Sequence, residues 1–159
     1  TFEEDEYQDT YEKYTIVEPN DIIINGLNLN YDLKSMRVGK VTENGIITSA
    51  YIVLRPYNNV CSDFFNYLFK AFDYRKFFHG MGKGIRLTLS FNELRYFEIP
   101  IPPIDEQKKI AAYLDEKCAK IDAILEKINT EVERLKELKR SLINEVVTGQ
   151  RAIDTESHS

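Results

Sequence analysis

Apolar positions along this chain follow two different periods. Through residue 101 they come in short β-branched or aromatic runs broken by turn residues. Tyr14–Val17 and residues 21–25 are two such runs, separated by Glu18-Pro19-Asn20, a combination that marks a turn between strands. Asn44-Gly45 lies between residues 36–41 and 46–54. Both turn residues tolerate positive φ, so the spacing predicts a tight hairpin between two strands. Ser62 is placed to cap a helix on which Phe64, Phe65, Leu68, Phe69 and Phe72 share one face, the pattern of a core-packing stripe. A loop punctuated by Gly80, Gly82 and Gly84 leads into the apolar run 85–89. Ile99-Pro100-Ile101-Pro102-Pro103 must run extended, because each proline pushes its predecessor away from helical geometry.

Beyond the prolines the period changes. Residues 105–147 contain neither Gly nor Pro, which permits one helix of about 65 Å. Leu114, Cys118, Ile121, Leu125, Ile128, Val132 and Leu135 recur at alternating intervals of four and three, the signature of a coiled-coil seam. Leu138, Leu142 and Val146 continue the seam with a slight change of phase, and Gly149 supplies a helix stop. Glu133 with Lys136 and Glu137 with Arg140 mark the solvated flank. Such a helix cannot bury its stripe against itself and needs a second helix. The expected fold class is therefore α+β: a small mixed α/β domain over residues 1–103, a long coiled-coil-forming helix over 104–149 and a polar tail over 150–159.

Composition excludes several classes. Apolar residues make up 43% of the 159 and aromatics 12%, enough for a packed core rather than a disordered chain. No apolar run approaches the roughly 18 residues of a membrane-spanning helix, and the acidic segment that begins at Thr1 is not expected to be a signal peptide. A cytoplasmic protein without membrane contact is expected. The first residue is Thr, which suggests a piece of something longer. Cys61 and Cys118 stand far apart without neighbouring histidines, so neither a disulfide framework nor a zinc site is expected. The net charge of −5 argues against a nucleic-acid partner until its distribution is considered. Residues 1–20 carry seven acids and only Lys13, whereas residues 70–95 carry Lys70, Arg75, Lys76, Lys83, Arg86 and Arg95 against Asp73 and Glu93. One segment is thus positive enough to face an anion.

Catalytic motifs are sparse. The run over 80–84 lacks the spacing of a P-loop, and Phe77 stands where its first glycine should be. No dinucleotide fingerprint follows, since position 85 is Ile. His79 and His158 are isolated from each other and from any nucleophile. Asp21 with Asp32 and Lys34 imitates the carboxylates and lysine of a metal-dependent nuclease. An acid, any residue, then lysine nevertheless also occurs at Glu106, Asp115 and Glu137, which removes most of that motif's force. The basic segment offers more: its cations are interleaved with Phe72, Tyr74, Phe77 and Phe78, and its glycines would let backbone N–H groups approach phosphates.

The order of these pieces resembles the specificity subunit of Type I restriction-modification systems. The resemblance is carried by Ile99-Pro100-Ile101-Pro102-Pro103-Ile104-Asp105-Glu106-Gln107-Lys108-Lys109-Ile110 and by Leu114-Asp115-Glu116-Lys117. It extends to Leu142-Ile143-Asn144-Glu145-Val146-Val147-Thr148-Gly149, and upstream to the segments at Asn20, Gly45 and Gly82-Lys83-Gly84-Ile85-Arg86. The family implies a non-catalytic subunit that requires no cofactor of its own. Each of its recognition domains reads one half of a split double-stranded DNA target, and paired spacer helices fix the separation of the halves. Methylation subunits that bind S-adenosylmethionine dock beside the helices, and a separate translocase and nuclease subunit cuts DNA.

A full subunit of that family has two recognition domains and two spacer helices, whereas one helix and less than a complete recognition domain are recognisable here. The chain is accordingly expected to be either the carboxy-terminal part of a longer polypeptide or a half-subunit that pairs with its own copy over a symmetric target. Arg37, Lys83 and Arg86 are the first candidates for DNA contact, followed by Asn28, Asn30, Lys34, Arg75 and Lys76. Asparagine can read adenine bidentately, although turn chemistry is the favoured account of Asn28 and Asn30. Leu114, Ile121, Leu125, Ile128, Val132, Leu135 and Leu142 are the candidate pairing surface. The competing readings are a coiled-coil adaptor that touches no DNA and, remotely, the nuclease built on Asp21, Asp32 and Lys34.

Overall fold

The structure, a computed structural model, describes residues 14–29, 36–85 and 87–152. Asn30, Asp32, Lys34 and Arg86 lie outside the described residues. Among the described residues, five short strands, β1 (Tyr14–Val17), β2 (Ile22–Asn25), β3 (Val38–Lys40), β4 (Gly45–Thr48) and β5 (Tyr51–Leu54), precede three α-helices, α1 (Ser62–Tyr74), α2 (Phe91–Leu94) and α3 (Ile104–Val147). This is an α+β fold. The chain divides into two compact units, Thr1–Ala112 and Tyr113–Ser159, so the first turns of α3 belong to the globular unit.

Strand β2 is central to a three-stranded antiparallel sheet of order β3-β2-β5, and β1 pairs with β4 in a separate ribbon. Its run of isoleucines explains the central place: Ile22 and Ile24 point into the core, and a strand with a hydrogen-bonding partner on each edge leaves no main-chain groups exposed. The turn expected at Glu18-Pro19-Asn20 is present, with the Asp21 N–H donating to the Glu18 carbonyl at 3.0 Å and the Glu18 N–H to Asp21 Oδ2 at 2.9 Å.

The hairpin expected across Asn44-Gly45 does not form. Strands occupy both flanks, but β3 pairs with β2 and β4 pairs with β1. Val41 ties its backbone to the β1–β2 turn through Asn20 N–H to Val41 O at 3.0 Å and Val41 N–H to Asp21 O at 2.8 Å. The second flank is also interrupted: Ser49 and Ala50 form a turn, after which β5 joins β2. Burial beside Ile22 and Ile24 outweighs the local preference of the Asn-Gly pair, a tertiary override of turn propensity. The glycine-punctuated loop leads into a turn closed by a single bridge, Lys83 to Thr88.

Helix α1 buries Phe64, Phe65 and Phe69, while Phe72 and Leu68 pack partly against the same core with Leu29, Ile52, Phe78, Leu89 and Leu94. Ser62 is not the cap. Cys61 holds that position without a side-chain bond, and the Ser62 hydroxyl donates instead to the Asn20 carbonyl at 2.6 Å. Gln107, buried on the first turn of α3, does the fastening: its Oε1 accepts from the Cys61 N–H at 3.0 Å and its Nε2 donates to the Pro102 carbonyl at 2.8 Å. A side chain that satisfies both backbone groups fixes where α3 begins relative to α1.

Helix α3 runs for 44 residues without interruption, about 66 Å. Ile121, Leu125, Ile128, Val132, Leu135, Leu138 and Leu142 are all exposed along it, and Leu114 and Cys118 are half-buried. The helix closes at Gly149, which takes φ +74° and donates its N–H to the Val146 carbonyl at 3.2 Å, as a left-handed terminator should. Among the described residues no helix is long and apolar enough to cross a membrane.

Candidate nucleic-acid interface

Two loops that are far apart in sequence form one ledge. Leu89 N–H donates to the Gly26 carbonyl at 2.9 Å, and Leu29 N–H donates to the Leu87 carbonyl at 3.2 Å, so residues 25–29 and 82–89 are laced together. Glycine is required at the crossing: a Cβ on Gly26 would lie well inside contact distance of the Leu89 carbonyl oxygen, and one on Gly82 would meet Leu29 at 2.8 Å and the Leu87 carbonyl carbon at 3.0 Å. Asn28 takes φ +51°, within the left-handed range that asparagine tolerates best after glycine. Arg37 underpins the first loop, its guanidinium donating to the carbonyls of Asn25 (3.1 Å), Leu27 (2.6 Å) and Asn28 (3.1 Å). Its backbone N–H donates to Asp73 Oδ2 at 2.7 Å, which brings the end of α1 to the same neighbourhood.

The second loop carries Lys83, whose Nζ lies 3.1 Å from Glu93 Oε1 on α2 and remains largely exposed. Glu93 also accepts hydrogen bonds from the Ser90 hydroxyl and from the Ser90 N–H at 3.0 Å. The Ser90 hydroxyl, then Lys83, hold its carboxyl down to about 2, so Glu93 stays ionised throughout the neutral range. Arg75 is exposed just past α1, and Lys76 follows it in a left-handed conformation at φ +55°.

The described candidates Arg37, Asn28 and Lys83 thus meet at one ledge, and Asp73 links it to the turn bearing Arg75 and Lys76. Sequence reasoning missed Gly26, the packing role of Gly82 and the part played by Glu93. Ser90-Phe91-Asn92-Glu93 has the capping-box spacing that could have found Glu93, whereas no local signal could have found the contact of Gly26 with Leu89.

Asp21 is not poised for metal chemistry. It is 1% exposed, its Oδ1 accepts from Arg55 Nε at 2.9 Å, and its Oδ2 accepts from Arg55 Nη2 at 2.8 Å besides the Glu18 N–H. The Arg55 hydrogen bonds hold its carboxyl below the usual aspartate value, and Asp21 raises Arg55 in return. Both oxygens therefore serve a fork-shaped structural ion pair. Among the described residues no group of three or more His, Cys, Asp or Glu side chains could hold a metal ion.

A small α+β unit with a two-loop ledge, followed in sequence by a long helix with an exposed apolar seam, is the class of protein that the fold defines. Comparison with known proteins narrows the class to one family. The sequence model described as Type I restriction modification DNA specificity domain matches residues 3–134, and the chain belongs to that family. A curated relative, the MjaX type I restriction enzyme specificity subunit of Methanocaldococcus jannaschii, is 29% identical over 100 residues, which cover 61% of this chain and 23% of the relative. The chain thus spans about a quarter of the length of the curated relative it matches.

Proposed function

We propose that this chain reads one half of a bipartite double-stranded DNA target and holds that reading surface at a set distance from a second one through α3. The uninterrupted 44-residue helix with its exposed seam carries the reading, because an apolar edge at coiled-coil spacing is what a second helix would cover. Two such helices would pack side by side, supplied either by one longer chain or by a second copy. Buried in a pair, each seam leucine or isoleucine contributes about 1.5–3 kcal/mol.

The ledge supports the DNA half of the reading. Lys83 presents an exposed ammonium beside glycine-rich backbone, and Arg86 follows three residues later in sequence; such groups position a protein on phosphates. Arg37, with its guanidinium committed to loop carbonyls, acts in this scheme as the support that shapes the loop. The chain itself performs no chemistry. S-adenosylmethionine belongs to methylation subunits docked beside the helices, and cleavage belongs to a translocase and nuclease subunit.

The test combines sizing with duplex binding at low salt. A paired chain that binds duplex, and loses binding on Lys83→Glu, is the expected result. A single chain at high concentration, or a paired chain indifferent to DNA, would leave the coiled-coil adaptor as the better description.

A further inference from the structure

One cation interrupts the apolar edge of α3. Carried from Leu114 to Val146, the alternation of four and three puts Leu114, Ile121, Ile128, Leu135 and Leu142 at one core position of the heptad and Cys118, Leu125, Val132 and Val146 at the other. The remaining place in the second series falls to Lys139. It is exposed and stands between the exposed Leu135 and Leu142, on the face that residues four back and three ahead share. Other lysines of α3 lie off this edge, where Lys120 and Lys136 pair with Glu116 and Glu133 of the same helix. A single lysine at a core position lowers the stability of a helix pair and selects its register and partner state.

Two arrangements of a pair of copies treat Lys139 differently. When the copies run in the same direction and in register, like positions face each other, so the two Lys139 ammonium groups meet across the core, where repulsion adds to desolvation. When they run in opposite directions, one series faces the other. With the two-fold axis near Thr130, Leu125 faces Leu135 of the second copy, Val132 faces Ile128, Cys118 faces Leu142, and Lys139 faces Ile121 beside Asp122. The two ammonium groups are then about 27 Å apart along the pair. The flanks agree: Lys117 lies opposite Glu145, Asp122 opposite Lys136, and Ile124 opposite Leu138, which gives the exposed Ile124 and Leu138, one step off the strict alternation, an apolar neighbour. Flank charges alone do not choose between the arrangements, since Lys117 also reaches Asp122 when the copies run in the same direction. Lys139 chooses.

We infer that Lys139 sets the orientation and register of the helix pair: it excludes a copy running in the same direction and, through Asp122 of the second copy, fixes an antiparallel pair centred near Thr130. The occupant of the seam is a second copy of this chain, because the apolar layers, the acid beside Lys139 and the flank partners are all supplied by the same helix read in reverse. This inference rests on the pairing in the proposed function and adds to it the partner, the register and the residue that decides between arrangements. It differs from the hydrophobic seam itself in sign, since Lys139 acts by penalising the wrong pair rather than by strengthening the right one.

The experiment uses the full chain, with Cys61→Ser as the parent so that Cys118 is the sole thiol. A disulfide needs Cα atoms within about 7 Å, a separation that facing core positions meet. In a glutathione redox buffer the parent is expected to form no bridge between two Cys118 residues, whereas adding Leu142→Cys yields a covalent dimer bridged from Cys118 of each copy to position 142 of the other. Lys139→Leu is expected to tighten the pair at least about tenfold in sedimentation equilibrium and to let the Cys118-to-Cys118 bridge appear, because the same-direction pair is no longer penalised. A residue that merely supported the helix would weaken the pair when replaced and leave the bridging pattern alone. Lys139→Glu is expected to loosen the pair about tenfold, and Asp122→Lys in the same chain to recover most of that loss. A Cys118-to-Cys118 bridge in the parent dimer, a dimer whose bridging Lys139→Leu does not change, or a charge swap that recovers nothing overturns the inference while pairing through α3 stands. A chain that stays single at high concentration fails the functional reading and this inference with it.

Discussion

At the scale of single residues, two ion pairs have different purposes. Asp21 is buried and takes hydrogen bonds from Arg55 and the Glu18 N–H, so its carboxylate is part of the fold. Its folded pKa lies below its unfolded one, so between the two values the unfolded chain binds more protons than the folded one. The resulting stabilisation is present above the ordinary aspartate value of about 4 and is lost as pH falls through the lower folded value. Asp21→Asn is expected to destabilise the domain by about 2 kcal/mol at neutral pH and to flatten the acid limb of stability against pH, both measurable by denaturant unfolding. Lys83 is a surface cation steadied by Glu93, and its neutralisation leaves the fold intact. Lys83→Gln is expected to weaken duplex binding evenly across sequences and to reduce the salt slope by about one. A loss confined to one sequence would show instead that Lys83 contacts a base.

At the scale of elements, the ledge depends on the crossing of Gly26 over Leu89. Gly26→Ala forces a methyl into a backbone carbonyl that cannot move without breaking the Leu89 N–H bond to Gly26 O. The expected loss is about 2 kcal/mol or more, together with accelerated amide exchange at Leu29 and Leu89, whose N–H groups lace the two loops. Gly45→Ala makes the contrast, because its Cβ would sit 3.8 Å from a Val17 methyl, an ordinary contact. Equal destabilisation at both glycines would contradict the crossing as the source of the effect. The glycine loop looked in sequence like a phosphate cradle. In the fold, Gly82 serves close packing against Leu29 and Leu87, and Gly84 takes φ +77° in the turn between Lys83 and Thr88.

At the scale of the whole molecule, the proposed pairing would run along the seam of α3. Ile121, Leu125, Ile128, Val132 and Leu135 are each about half exposed, so pairing removes a continuous stripe from water. Ile128→Ala is expected to weaken pairing by about 2 kcal/mol, roughly thirtyfold in dissociation constant by sedimentation equilibrium. Ile128→Asp, which would place a charge in the seam, is expected to yield single chains. Lys136→Ala on the flank, where the Glu133 pair is exposed, should leave the equilibrium within a factor of two or three. If the flank variant dissociates the chain as readily as the seam variants, pairing follows another surface.

Much of this was legible in the sequence because it is local. The length of α3 follows from the lack of Gly and Pro over residues 105–147, its bare edge from spacing that returns every 3.5 residues, and its end from Gly149. The phenylalanine face of α1 is equally local, since i, i+4 neighbours meet whatever surrounds them. Strand pairing was not legible. Asn44-Gly45 promises a hairpin on local grounds, yet β3 pairs with β2 and β4 with β1, partners distant in sequence that no local signal names. The site divides the same way: its cations stand out as a charged segment, but their meeting with Asn28 and Arg37 depends on two close backbone crossings. Local periodicity can be read from one stretch of chain, whereas a contact between residues 26 and 89 exists only after the core has closed around both.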